Sequence, residues 1–359
     1  MNITIVGGGN IGTQFAVHCA QKKHRVTVYT SQPEKFSKTL SIVDVQGNVT
    51  HHGELALATN DASLAFREAD VIIVTVPADC MRQYGEKLYH HIRPGVKIGL
   101  IPGTGGGECV FAKCRQKGAV LFGLQRVPAV ARLVTYGKQV CSTGYRAELF
   151  AAALPKSQTE DCCRLMESIF DIPCHGLPDY LNLTLTPSNP ILHTTRLRTI
   201  FSDYRPGVVY NRIPLFYQEW DDASSRLLIA CDNEVQQLCK ALTDFDLSGV
   251  RSLKDHYESQ TPEAMTYKIS HIPAFQGLSS PQKEVEGGLI PDLQSRYFTA
   301  DFSYGLVILV QLAHMANVPA PNMEQTLQWY KNFAGQTEMF DFSRWGIRDY
   351  ESLVAFYRQ

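Results

Sequence analysis

Residues 3–12 decide the fold of this chain, with the sequence Ile3-Thr4-Ile5-Val6-Gly7-Gly8-Gly9-Asn10-Ile11-Gly12. The apolar run at the beginning is typical of a buried strand, and a helical pattern follows the last glycine. Gly7, Gly9 and Gly12 have the G-x-G-x-x-G spacing. The first glycine permits a tight turn, the second lets a pyrophosphate approach the backbone, and the third lets the helix pack closely on the strand. The stretch therefore predicts a dinucleotide site, with these three glycines, Asn10 and Ile11 as cofactor-binding residues.

The first half of the chain alternates strand and helix patterns, which is typical of a parallel sheet. Residues 71–76 form a continuous apolar run, as expected for a strand that is buried on both faces. Pro77 ends this run and is a further cofactor-binding candidate, because open α/β sheets bind ligands at the carboxyl edge. The six candidate strands are Asn2–Val6, Arg25–Tyr29, Leu55–Ala58, Val71–Val76, Lys97–Ile101 and Val120–Leu124.

The pattern becomes helical from about residue 182. We therefore predict an α/β protein in two domains. The first, over residues 1–181, is a Rossmann domain with a doubly wound and mainly parallel sheet, and the second, over residues 182–359, is all-helical. A strongly apolar helix is predicted to begin at Asp301. The cleft between the two domains is the expected active site.

Composition argues against several classes of partner. The 359 residues include 34 basic and 35 acidic side chains, and the basic ones are dispersed, so no nucleic-acid partner is expected. The first strand begins by residue 2, which leaves no room for a signal peptide, and the apolar run at 304–315 is too short to cross a bilayer. The ten cysteines include no C-x-x-C pair and no zinc-site spacing. We expect a cytoplasmic protein without a metal site or a membrane partner, as a homodimer or a monomer.

The end of the second strand bears on the choice between NAD and NADP. An NAD site usually has an acidic residue here, about 20 residues after the glycines, to hold the ribose 2′-hydroxyl. This chain has Tyr29-Thr30-Ser31-Gln32-Pro33 instead, and the uncharged Thr30 and Ser31 can accept a 2′-phosphate. The sequence favours NADP. NAD remains the alternative, because Glu34 follows closely and the arginine typical of NADP sites is missing.

The helical half supplies candidates for catalysis. Hydride transfer to a C=O or C=N group needs a proton donor or acceptor, a group that orients it and a cation for the substrate carboxylate. His193, Asp301 and Arg296 are the respective candidates. Asn189 and, from the first domain, Arg132 are candidates for substrate binding. Each has a structural alternative: a core histidine, a helix N-cap, a surface ion pair, a turn before proline and a structural arginine.

Several stretches of this chain occur together in one known family. They are the glycine turn at 7–12, Gln125–Arg132, Asn189–His193, Asp232–Glu234, and Arg296–Asp301 followed by Tyr304–Leu306. Through them the chain resembles the opine dehydrogenases, of the octopine and nopaline dehydrogenase type, over most of its length. N-P-x-x-H followed about a hundred residues later by R-Y-x-x-x-D is much more specific than the glycines. The resemblance implies that His193 and Asp301 form a catalytic dyad and that Arg296 binds the carboxylate of an oxo acid.

The resemblance also implies a reaction. A 2-oxo acid and the amine of an amino acid condense to an imine, which the nicotinamide hydride reduces to a secondary amine. One alternative is a 2-oxo-acid or 2-hydroxy-acid reductase of the ketopantoate reductase type. That family relies on a lysine early in the helical domain, whereas this chain has no lysine between Leu181 and Cys239. Reduction of an oxo acid by His193 without an amine stays open. A second alternative is a dinucleotide-binding sensor without catalysis, which is expected to lose the dyad before the glycines.

Overall fold

The computed structural model describes residues 1–335 and 338–358, and its contacts divide the chain into two units. The N-terminal unit comprises Met1–Thr184 together with the residues from Tyr357 onward, and the helical unit comprises Leu185–Phe356. The two units are defined by contacts between residues and not by function. The functional division predicted at residues 181 and 182 stays a prediction.

The strands found within the described residues are numbered in chain order. They are β1 (Asn2–Val6), β2 (Arg25–Tyr29), β3 (Thr39–Val43), β4 (Val49–Glu54), β5 (Leu57–Thr59), β6 (Val71–Val74), β7 (Lys97–Leu100), β8 (Val120–Leu124), β9 (Val130–Thr135), β10 (Gln139–Thr143), β11 (Leu149–Leu154), β12 (Cys174–Gly176), β13 (Gln282–Val285) and β14 (Gly288–Pro291).

The main sheet of the N-terminal unit confirms the predicted fold class. Its order across residues 1–184 is β12-β11-β8-β7-β6-β1-β2-β5, and every neighbouring pair is parallel except β8 with β11. All six predicted strands lie in this sheet. β1, β2 and β8 have the predicted bounds, β6 and β7 end earlier than predicted, and β5 is displaced toward residue 59. All four residues of β6 are buried, as expected for a strand covered on both faces.

A smaller sheet in the same unit has no counterpart among the sequence predictions. Its order is β4-β3-β10-β9, with β3 and β10 parallel and both outer pairs antiparallel. The helices of the described N-terminal unit include Asn10–Gln21, Ala62–Phe66, Ala78–His91, Gly107–Val110, Ala112–Gln116, Thr159–Phe170 and Leu181–Thr184.

Helices dominate the second unit, as predicted, but this unit is not all-helical, because β13 and β14 form an antiparallel hairpin in it. The helices of the described part of this unit include Asn189–Ile200, Asp222–Ala241, Leu253–His256, Pro262–Ser270, Arg296–Thr299, Val307–Met315 and Pro321–Ala334. A last helix, Tyr350–Arg358, ends at the boundary of the described chain.

The apolar helix predicted to begin at Asp301 begins earlier. A helical stretch runs from Arg296 to Met315 and includes a π-helical turn at Phe302–Leu306, in which the Leu306 N–H donates to the carbonyl of Asp301. By length and composition, these 20 residues could cross a membrane. The prediction that the apolar run in this region, taken as residues 304–315, is too short to cross a bilayer was therefore wrong. Because 61% of its most apolar window is buried inside the protein, the stretch has the character of a core helix.

Candidate active site

The glycine turn at residues 7–12 has the shape that the sequence predicts. Gly7 has φ +102°, which favours glycine, and its N–H donates to the Tyr29 carbonyl at 3.0 Å. A Cβ on Gly12 would lie 1.8 Å from the Gly7 carbonyl oxygen, so only glycine lets the helix approach β1 this closely. A Cβ on Gly9 would meet no atom within 4 Å, which leaves open space above the turn.

This turn fits a bound pyrophosphate. Gly9 is the N-cap of helix Asn10–Gln21 and makes no side-chain cap hydrogen bond to the first N–H groups of the helix. Free N–H groups at a helix N-terminus are an anion-binding site. The other two predicted residues have structural contacts: the Asn10 Oδ1 accepts from the Leu133 N–H at 2.8 Å, and Ile11 packs against the core.

Of the other three predicted cofactor-binding residues, one is buried and two are exposed. Thr30 is buried, and its hydroxyl shares a hydrogen bond of 2.9 Å with the Tyr136 hydroxyl, whereas Ser31 is exposed. Pro77 is exposed and precedes helix Ala78–His91. No sequence pattern indicated Phe36, which closes one side of the turn: a Cβ added to Gly8 would lie 2.3 Å from its ring.

His193 and Asp301 are hydrogen-bonded in the helical unit. The His193 Nδ1 lies 2.7 Å from the Asp301 Oδ2, and the two side chains are 5% and 15% exposed. His193 lies on helix Asn189–Ile200, which begins with Pro190 in its first turn, a position that suits proline. A carboxylate on one imidazole nitrogen orients the ring and stabilises its protonated form.

A close contact between two helical segments positions this pair. A Cβ on Gly305 would lie 2.9 Å from the Pro190 Cγ, so the π-helical turn approaches helix Asn189–Ile200 at a distance that only glycine permits. The Asp301 carboxylate caps no helix, since this residue has helical backbone angles and makes no side-chain cap hydrogen bond. The N-cap alternative for Asp301 is therefore not what the structure has.

The second nitrogen of His193 also has a partner, which sequence reasoning missed. Its Nε2 lies 2.7 Å from the Tyr217 hydroxyl. Aromatic rings surround the imidazole, with the ring of Tyr297 at 4.4 Å and that of Phe216 at 5.5 Å between centroids. No sequence signal pointed to Tyr217, because it lies in an irregular segment between two helices.

The predicted binding residues are exposed. Arg296 places its guanidinium 5.9 Å from the centre of the Tyr297 ring, and within the described residues it makes no ion pair. Asn189 is exposed one turn before His193 on the same helix. Arg132 is exposed on β9 in the N-terminal unit, where its Nη1 donates to the Ala131 carbonyl at 2.9 Å.

Comparisons with known proteins match both parts of the chain to dehydrogenases. Residues 176–334 match the family described as NAD/NADP octopine/nopaline dehydrogenase, alpha-helical domain, and residues 2–102 match the NAD-dependent glycerol-3-phosphate dehydrogenase N-terminus. The opine dehydrogenase of Haliotis discus hannai is 28% identical, with 94% of this chain and 91% of the relative aligned. The octopine dehydrogenase of Mizuhopecten yessoensis is 25% identical, with 95% and 92% aligned.

The chain belongs to the opine dehydrogenase family. A solved structure of octopine dehydrogenase, described as a form with NADH and L-arginine, matches with a TM-score of 0.85 at 22% identity and covers 99% of this chain and 98% of that one. At this identity the likeness shows the fold alone. Together, the family and the fold make this opine dehydrogenase-like chain an oxidoreductase with an NAD(P) dinucleotide as its cofactor.

Proposed function

We propose that this oxidoreductase condenses a 2-oxo acid with the amine of an amino acid and reduces the resulting imine to a secondary-amine dicarboxylate. The observation that carries the proposal is the hydrogen bond between His193 and Asp301 in a unit of this family. Relatives of the chain are named as opine dehydrogenases, and the octopine dehydrogenase structure is described with L-arginine.

The proton chemistry needs one acid–base group. In the condensation the substrate ammonium loses two protons as its nitrogen attacks the oxo carbon, and the former carbonyl oxygen gains two protons and leaves as water, so that a protonated imine remains for reduction. His193 can donate and accept these protons, because the Asp301 carboxylate accepts from its Nδ1–H and stabilises the charged imidazolium. The aromatic rings around His193 exclude water, which favours the imine over its hydrolysis.

The proposed role of Arg296 is to bind a substrate carboxylate. Its guanidinium is exposed and makes no ion pair in the described chain, so its donors are available. A bidentate arginine–carboxylate pair fixes orientation as well as binding, which selects the face of the imine that is reduced. Asn189 and Arg132 stay predictions for further substrate contacts.

The residues that would hold the dinucleotide are Gly7, Gly9, Gly12 and the N-terminus of helix Asn10–Gln21. When bound in its reduced form, the dinucleotide supplies the hydride for the imine carbon. We favour NADP, because Ser31 is exposed after β2 and has no acidic neighbour before Glu34. The hydroxyl of Thr30 contributes less than the sequence suggested, since it is shared with Tyr136.

A steady-state assay tests the proposal. The oxidation of NADPH and of NADH is measured with pyruvate and related 2-oxo acids, each with and without a pool of amino acids. We expect turnover that requires both substrates, is faster with NADPH and falls by about 100- to 10,000-fold in His193→Ala. His271→Ala is the matched control, because His271 is an exposed histidine of the same unit that bonds only locally.

The other outcomes distinguish the alternatives. Turnover with an oxo acid alone would assign the chain to the 2-oxo-acid reductases, for which the same dyad would serve. Nucleotide binding without any turnover across the panel would favour the sensor. Faster turnover with NADH would overturn the cofactor preference and leave the reaction as proposed.

A further inference from the structure

Both ring nitrogens of His193 are occupied within the helical unit. The Nδ1 lies 2.7 Å from the Asp301 carboxylate, and the Nε2 lies 2.7 Å from the Tyr217 hydroxyl. The residue is 4% exposed. A substrate that took its proton directly from this imidazole would first have to displace one of the two partners.

Tyr217 is held in place from the helix that carries His193. Arg196, one turn further along that helix, is 1% exposed and donates from Nε to the Phe216 carbonyl at 3.0 Å. Its Nη2 donates to the carbonyls of Leu215 and Glu219 on either side of Tyr217. The backbone around Tyr217 is therefore fixed relative to His193, and displacement of the tyrosine would break these buried hydrogen bonds.

Stacking holds the Tyr217 ring as well. The ring of Phe275 lies 4.1 Å away at an interplanar angle of 20°, and that of Trp220 lies 6.4 Å away at 10°. Burial, the neighbouring Tyr297, Tyr257 and Asp301, and a hydrogen bond to Tyr297 raise the pKa of Tyr217 well above its usual value. The phenol stays neutral and keeps its proton to donate.

The direction of the hydrogen bond between Tyr217 and His193 depends on the charge of the imidazole. Asp301 accepts from the Nδ1–H in either state. In the neutral ring, Nε2 is an acceptor and the phenolic O–H donates to it. In the imidazolium, the Nε2–H donates to the phenolic oxygen, so the hydrogen of Tyr217 is released to point to another acceptor.

We propose that Tyr217 is a catalytic residue that passes the proton between His193 and the reacting atom of the substrate, an inference that rests on the proposed function. As the carbon–oxygen bond of the carbinolamine breaks, the phenolic proton goes to the departing oxygen, which leaves as water. The Nε2 proton moves to the phenolic oxygen in the same step. His193 changes from imidazolium to neutral imidazole, and Tyr217 is unchanged. Before this step the substrate ammonium loses two protons: one passes along the reverse path to His193 and forms the imidazolium, and the other goes to the carbonyl oxygen and gives the carbinolamine hydroxyl. The product is a protonated imine, which accepts the hydride.

Tyr217→Phe tests this proposal, because it removes the hydroxyl and keeps the ring that stacks on Phe275. We expect kcat/KM to fall by about 100- to 1,000-fold, within the range for loss of an acid–base group, with little change in nucleotide affinity. Tyr217→Phe combined with His193→Ala is expected to be no slower than His193→Ala alone, because the two residues serve one proton path. Tyr267→Phe removes the hydroxyl of an exposed tyrosine in the same unit and is the control.

Two readouts separate a relay from a structural role. In wild type the rate in mixtures of H₂O and D₂O is expected to depend non-linearly on deuterium content, since two protons move together, and to become linear in Tyr217→Phe. The limb of the pH profile that depends on His193 is expected to disappear in the same variant. The relay would be overturned if the kcat/KM of Tyr217→Phe were within threefold of wild type. It would also be overturned if Tyr217→Phe were slower but kept the pH profile of wild type.

These outcomes are distinct from failure of the proposed function. If wild type reduces oxo acids without an amine, the proposed condensation is wrong. The kcat/KM of Tyr217→Phe relative to wild type, measured with the oxo acid alone, still decides whether the relay exists. If wild type oxidises neither nucleotide with any substrate pair, the proposed function and the relay fail together.

Discussion

At the scale of single residues, the charge of Asp301 is the feature of the dyad that can be tested most directly. Asp301→Asn keeps the size of the side chain and an oxygen that can accept from His193, but it removes the negative charge that stabilises the imidazolium. We expect kcat/KM to fall by about 100- to 10,000-fold while nucleotide affinity is unchanged. Steady-state kinetics and a fluorescence titration with NADPH measure the two quantities.

The control for this prediction is Asp292→Asn. Asp292 lies in the same unit and accepts from the Gln294 N–H, a role that the asparagine oxygen preserves. An Asp301→Asn variant as active as this control would mean that the carboxylate only positions the ring.

His18 in the N-terminal unit provides a pH-dependent prediction for stability. Burial, and then the charges of His51 and Lys22, lower the pKa of His18 to about 4 from 6.5, while Asp171 acts in the opposite direction. The folded protein therefore keeps His18 neutral in a range where the unfolded chain binds a proton, and stability is lost as the pH falls from about 6.5 to about 4. Between pH 7 and pH 5 this one group is expected to lower the free energy of unfolding by about 2 kcal/mol.

Urea unfolding of His18→Gln at the two pH values checks this prediction. Glutamine can still bond the Tyr145 hydroxyl, which His18 Nε2 contacts at 2.9 Å, but it does not titrate. The loss of stability at pH 5 is expected to shrink in this variant and to persist in His52→Gln, which replaces an exposed histidine. Equal pH dependence in both variants would contradict the assignment to His18.

Tyr217 shows which residues the sequence could not predict. His193, Asp301 and Arg296 lie in two short patterns that a family resemblance identifies. Tyr217 reaches His193 through the conformation of an irregular segment, and that conformation depends on hydrogen bonds from Arg196 to backbone carbonyls. Backbone carbonyls are the same in every sequence, so no pattern of side chains reports such a contact.

At the scale of elements, two glycines of the turn between β1 and the first helix have different roles, one in cofactor binding and one in folding. Gly9→Ala adds a methyl group to open space at a residue with φ −80°, so the fold is expected to keep its Tm. The methyl group lies where a pyrophosphate would approach, and we expect NADPH to bind at least about tenfold more weakly. Gly12→Ala is the opposite case, because its Cβ would clash with the Gly7 carbonyl and lower the Tm.

Thermal unfolding and a fluorescence titration with NADPH give the two quantities for each variant. Both quantities are compared with those of wild type. Gly47 lies outside the turn but cannot serve as a glycine-to-alanine control, because it has φ +87° and alanine would be strained there. Unchanged NADPH affinity in Gly9→Ala would place the dinucleotide away from this turn.

The sequence predicted the strands of the main sheet better than those of the smaller sheet for a physical reason. β6 is apolar throughout and stands out, whereas β4 contains two histidines and a glutamate and is mostly exposed. β10 pairs with β3, about a hundred residues earlier in the chain, and such pairing leaves no local signal. Asp301 was predicted as a helix start because aspartate favours N-caps, but the preceding residues already form a helical turn from Arg296.

At the scale of the whole molecule, Glu108 connects distant parts of the chain within the N-terminal unit. Its fully buried carboxyl accepts at Oε1 from the Thr184 hydroxyl at 2.6 Å and from the Tyr357 hydroxyl at 2.7 Å. Its Oε2 has no partner among the described residues. Burial raises the pKa of Glu108, and the hydrogen bonds from Thr184 and Tyr357 act against this shift.

The sign of the pH dependence follows from this shift. Because the folded protein favours the neutral carboxyl, the contribution of Glu108 is fully present below the ordinary pKa of a glutamate and is lost as the pH rises through the raised value. Glu108→Gln keeps the shape and cannot ionise. Its free energy of unfolding is therefore expected to rise relative to wild type when the pH is raised from 5 to 8 in urea titrations, and a constant difference would contradict this interpretation.

Tyr357→Phe tests the same cluster from the other end of the chain. It removes a donor to a buried carboxyl that has few other partners, so we expect a loss of about 1 to 3 kcal/mol in the free energy of unfolding. Because the lost hydrogen bond favours the ionised form, the loss is expected to be larger at pH 8 than at pH 5. Tyr350→Phe, in the same helix, removes a hydroxyl that accepts from the Asp244 N–H at an exposed site, and is expected to cost less than about 0.5 kcal/mol. If the two variants lost the same stability, Tyr357 would contribute only its ring to the N-terminal unit, and the last residues of the chain would be held there by packing alone.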